Sequence, residues 1–148
     1  MKRLTRVAAI AVVVVAAFTL CFAPASLAQG PKDSTLSIRN VAALWAFGPG
    51  FNGLWISVSV RCTGNAAGTV EASATQSSSQ SNTGSSDTGG LPTTSQVQCD
   101  GVTRQVALSY LGEGQFNLGY ATATATLTPP SGPSVTVQRV VRVVSPTS

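Results

Sequence analysis

In residues 54–62, LWISVSVRC, side chains of one parity are all apolar and most of the other parity are polar. Leu54, Ile56, Val58, Val60 and Cys62 share one face; Trp55, Ser57, Ser59 and Arg61 share the other. A period of two belongs to a β-strand with one buried face, and a helix would scatter the same residues around its axis. The pattern recurs along the chain. Val70, Ala72 and Ala74 alternate within residues 69–76, Val97 and Cys99 within 95–100, and Val106, Leu108 and Tyr110 within 102–110. Residues 116–128 place Ala121, Ala123, Ala125 and Leu127 against Tyr120, Thr122, Thr124 and Thr126. Leu36 and Ile38 start the series and residues 134–144 close it.

Turn-forming residues punctuate these runs. TGNAAG at 63–68 predicts a hairpin joining 54–62 to 69–76, and Gly101, LGEGQ at 111–115 and PPSGP at 129–133 supply further turns. The parity change around Arg139, Val140 and Val141 suggests a bulge in the last strand. Residues 77–94 hold almost nothing apolar beyond Leu91 and Pro92, and read as a flexible polar loop inside one domain. About seven short strands at this spacing predict an all-β fold, an immunoglobulin-like antiparallel β-sandwich, with a small β-barrel as the alternative.

The first residues carry Lys2, Arg3 and Arg6, then an apolar run, then Pro24 and the small residues Ser26 and Ala28. That layout predicts a secretory signal peptide over residues 1–28, cut after Ala28. The domain then covers 34–148 behind a flexible N-terminus at 29–33. No second apolar span follows, so no membrane span is expected after signal removal. The formal charge of the whole chain is +4; without the signal, six basic residues face five acidic ones, leaving +1. Nothing in that balance supports nucleic-acid binding, which needs a clustered basic face.

Cys62 and Cys99 remain after cleavage. An exported pair in an oxidising compartment predicts one disulfide. The chain has no histidine, so the commonest general base is missing and a Ser–His–Asp or Cys–His arrangement cannot be built. Asp100 and Glu113 both stand in turns and are the one carboxylate pair with a chance to meet, but an aspartate before glycine is a common turn residue. The expectation is a non-enzyme with no cofactor and no metal site.

Four of the seven aromatics outside the signal crowd into residues 44–55: Trp45, Phe47, Phe51 and Trp55. Trp55 falls on the outward parity of its strand, so Trp55 with Phe51 forms the candidate partner-binding site. Trp45 and Phe47 are expected to supply bulk to a core of small residues. Arg139 and Arg142 are expected to discourage edge-to-edge pairing, with a small positive spot as the other reading.

The segments VRCTG and VQCDG, the alternating ATATATLT and the valine-rich last strand together resemble a loose group of small secreted proteins of high-GC Gram-positive bacteria. The Arg-over-Lys bias points to the same kind of genome. The resemblance spans residues 54–144, implies a secreted immunoglobulin-like domain with one disulfide, and carries no catalytic residue across. In size and composition the chain is also similar to the enediyne-binding apoproteins, which carry two disulfides where this chain has one. The implied role is a secreted binding or structural protein whose partner is an extracellular protein or a cell-wall glycan; the alternative is a small-ligand carrier.

Overall fold

The computed structural model describes residues 33–46, 52–84, 88–111 and 115–146. The signal-like segment, Phe47, Phe51 and Glu113 lie outside them. Eight strands form: β1 (Thr35–Ala46), β2 (Asn52–Arg61), β3 (Ala67–Gln76), β4 (Thr88–Gly89), β5 (Thr93–Gln98), β6 (Arg104–Leu111), β7 (Gly119–Thr128) and β8 (Val135–Val144). The described residues contain no helix. The all-β expectation with one disulfide is met. The sheet, however, is mixed rather than antiparallel, because β1 and β8 run parallel.

The strands order as β4-β3-β7-β8-β1-β2-β6, with β5 also on β3. β1 holds both halves together. It pairs with β2 from Thr35↔Arg61 to Ala46↔Asn52, and with β8 only over Val41↔Arg142, Ala42↔Val143 and Ala43↔Val144. Between Ile38 and Ala42 its register on β2 shifts by two residues. An even shift keeps parity, so Leu36, Ile38 and Ala42 all stay buried. Arg139 of β8 donates to the Ile38 carbonyl at 2.8 Å beside this irregularity.

Three sequence expectations change here. The β2–β3 hairpin does not form: β2 pairs with β1 and β6, and β3 with β7, β4 and β5. The 63–66 turn instead carries the chain from one half of the sheet to the other. The bulge is in β1 and not in β8, whose register on β7 runs unbroken from Gly119↔Val143 to Leu127↔Val135. The segment 77–94 also contains strand. Thr88 and Gly89 pair with the end of β3, and from Thr93 the chain pairs along Ala67–Ala72. Main-chain hydrogen bonds hold an edge strand without apolar side chains, so polarity alone does not mark a loop. Within 77–84, Asn82 N–H donates to the Leu118 carbonyl, Tyr120 N–H to that of Gln80, and the Gln80 side-chain amide to the Thr122 hydroxyl. Gly119 sits at φ +133°, where a Cβ would collide with the Gln80 carbonyl.

Alternation places the core. Leu54, Ile56, Val58 and Val60 of β2 face Ala121, Ala123, Ala125 and Leu127 of β7, with Val70, Leu108 and Val141 between them, all buried. Among the described residues the bulkiest buried side chain is Phe116, in the non-strand stretch before β7. Two side-chain amides hold this stretch as strand neighbours would. Asn52 accepts from Phe116 N–H at 2.7 Å and donates to its carbonyl at 2.6 Å. Buried Gln76 accepts from Asn117 N–H at 2.7 Å and donates to the Asn117 and Tyr120 carbonyls, each at 2.8 Å. Gln76→Ala strips partners from three backbone groups and is expected to lower the unfolding free energy by about 2 kcal/mol. Urea unfolding checks this, and an unchanged midpoint would show that the stretch holds itself.

Candidate functional site

Cys62 follows β2 and Cys99 follows β5, and their sulfurs are bonded with Cα atoms 4.5 Å apart. The bond ties the two halves of the curled sheet on the side away from β1. Main-chain bonds brace it: Asn65 N–H to the Cys99 carbonyl, Cys99 N–H to that of Ala66, and Gly101 N–H to that of Cys62. Next to it Asp100 accepts from Val102 N–H and pairs with both terminal nitrogens of Arg104. The Arg104 guanidinium first, and the Val102 amide second, hold the Asp100 carboxyl well below the usual carboxylate range. Asp100 is therefore committed to its turn as an anion. Its prospective partner, Glu113, is outside the described residues. Among these residues no cluster of three or more His, Cys, Asp or Glu is placed to hold a metal.

The outer face of β1 and β2 gathers the aromatics. Trp55 points outward, as its parity predicts, and is 50% exposed. Its cross-strand neighbours are small: Ala43 on β1 and Ser109 on β6. Trp45 stands opposite Gly53, one diagonal step from Trp55, so the two Cα atoms are about 7 Å apart. Trp45 does not fill the core. The inward set of β1 is Leu36, Ile38, Ala42 and, partly, Leu44, and Trp45 has the opposite parity. The signal was available in the sequence: Leu36 and Ile38 fix which face of that strand is inward. Trp45 and Trp55, with Ala43, Leu44 and Pro146, line an open, apolar cleft of about 310 Å³. Phe51 lies outside the described residues, and Trp45 joins Trp55 in the candidate site.

On the other side of the β8 end lies a second open cleft of about 450 Å³, lined among others by Asn82, Leu118, Tyr120, Arg142 and Ser145. Parity places Tyr120 on the outward threonine face of 116–128, while no sequence signal marks Asn82. Asn82 lies in the polar 77–94 segment, and its N–H donates to the Leu118 carbonyl.

Compared with protein-family models, curated proteins and solved structures, the chain matches none.

Proposed function

We propose that the chain is a secreted, non-catalytic binding domain of immunoglobulin-like layout. It acts at or outside the cell surface and holds an extracellular protein or a cell-wall glycan on its Trp45–Trp55 face. One observation carries the site: a half-exposed tryptophan beside a second one, flanked by small residues, at the rim of an apolar cleft. An indole in that setting offers a large rigid contact area at low entropic cost. The disulfide supports an oxidising destination. The sharing of β1 between β2 and the parallel β8 supports the immunoglobulin-like reading, in which a first strand links two sheets. A small-ligand carrier is favoured less, because the Trp45–Trp55 cleft is open and at the small end of ligand pockets.

The test compares the purified domain with Trp55→Ala in binding to isolated cell wall and to secreted proteins. The wild type is expected to bind, and Trp55→Ala to weaken that binding about tenfold, the loss typical of an interface anchor. Trp55 lies outside the core, so folding should be unaffected. Binding that is identical in the two proteins removes the site.

A further inference from the structure

We propose that the binding face continues across β8 and takes a linear polysaccharide bearing carboxylates, with Arg142 holding a carboxylate between Tyr120 and Trp55. This rests on the reading above that the outer face of β1 and β2 is the binding face.

Register puts the three residues in one band. Tyr120 stands directly opposite Arg142, and Arg142 pairs with Val41 of β1. One step along, Val144 pairs with Ala43, which stands opposite Trp55. Their inward neighbours, Ala121, Val141, Val143, Ala42 and Ile56, are buried, so the band faces outward. Tyr120 is 55% exposed, close to the value for Trp55. Three strand spacings across and one two-residue step along separate these two residues, about 16 Å, a span that a short oligosaccharide covers. The two clefts lie on either side of Val144, one at each aromatic.

Arg142 lies between them with its charge unanswered. Among the described residues it makes no ion pair and no side-chain hydrogen bond, so its guanidinium donors are unspent. The acid on this face, Glu71 of β3, lines up through Thr126 with Thr136 of β8. That is six residues from Arg142, or about 20 Å. Among the described residues the band therefore has positive charge at its centre and no acid near it. A planar guanidinium takes a carboxylate through two parallel bonds, while the exposed rings offer flat apolar faces to the C–H side of a sugar ring. The Asn82 amide and the Ser109 and Ser145 residues add polar groups at the rims. An outer sheet face with separated aromatics and open clefts suits a chain lying across it better than the protruding side chain of a protein partner, which needs a closed pocket. A second copy of this chain is disfavoured, because a two-fold contact centred here would set Arg142 against Arg142.

The experiment measures the affinity of the domain for polygalacturonate, for a neutral polysaccharide of similar length and for poly-L-glutamate, at low and high salt. Polygalacturonate is expected to bind, more weakly at high salt, and the other two to bind at least tenfold less. Arg142→Gln should weaken it tenfold or more, and Tyr120→Ala and Trp55→Ala severalfold each. Arg61→Gln, at the far end of β2, should change nothing. Equal binding of polygalacturonate and polyglutamate, or indifference to Arg142→Gln, overturns the inference. If Trp55-dependent binding to cell wall or secreted proteins persists in that case, the broader reading stands. If Trp55→Ala is silent in every assay, the broader reading falls as well.

Discussion

Replacing both cysteines, Cys62→Ala with Cys99→Ala, is expected to lower the unfolding free energy by about 4 kcal/mol. The loop that the bond closes has a sequence separation of 37 residues, and the chain-entropy relation gives about 4 kcal/mol for a loop of that length. Domains of this size have about 5–15 kcal/mol in total, so the loss removes a large part of the margin. The fold explains why nothing compensates. The two halves of the sheet share β1, whose contact with β8 is three residue pairs long. On the opposite side β5 and β6 are near each other, with the Thr93 hydroxyl donating to the Ser109 carbonyl, but no ladder joins them. The disulfide is the covalent tie on that side. Urea unfolding of the double variant, and of the wild type with reductant, should give the same lowered midpoint. Intact mass should rise by two hydrogens on reduction. A midpoint indifferent to reductant would show that the bond adds nothing.

Phe116→Ala should cost about 3–5 kcal/mol, the range for emptying a buried phenylalanine site. Phe116 fills the interior at the end where β2 begins and β3 ends, and it is fully buried. The surrounding core is rich in alanine, with Ala121, Ala123 and Ala125 on β7 and Ala72 and Ala74 on β3. Short side chains cannot reach into the space that the ring leaves, so the cavity persists. Phe116→Leu keeps most of the volume and should cost about 1.5 kcal/mol. Thermal or urea unfolding of both variants reads the difference; equal losses would mean that the stretch is displaced and the ring is not what matters.

The alternation in residues 54–62 and 119–128 marks the buried and exposed sets that β2 and β7 adopt, because a half-buried strand writes its orientation into its side chains. Which strands pair is a different matter. The turn at 63–66 has the residues of a hairpin, yet β3 finds β7 and the returning β4–β5 edge, since pairing is decided by distant partners that carry no local sign. Phe116 opens the stretch 116–128, where a period of two groups it with outward Tyr120 and Thr122; it is buried because residues 115–118 are not strand and that parity does not apply to them. At the candidate site, the parity of Trp55 was legible. The outward side of Trp45 was legible as well, since Leu36 and Ile38 mark the opposite parity of that strand as inward; the bulk of the ring alone pointed to the core. Arg142 and Tyr120 become neighbours of Trp55 only through the parallel β1–β8 pairing, which no spacing in the chain records.

That parallel pairing also has a mechanical meaning. A tension that enters β1 at Thr35 and β8 at Val144 drags the two strands past each other along their length. Their hydrogen bonds between residues 41–43 and 142–144 then stretch together, whereas the antiparallel pairs of a hairpin pulled at its open end yield one after another. A domain anchored to a surface through one end and loaded through the other would meet the force with this three-pair ladder held in shear, while the Cys62–Cys99 bond bears load only after that ladder parts.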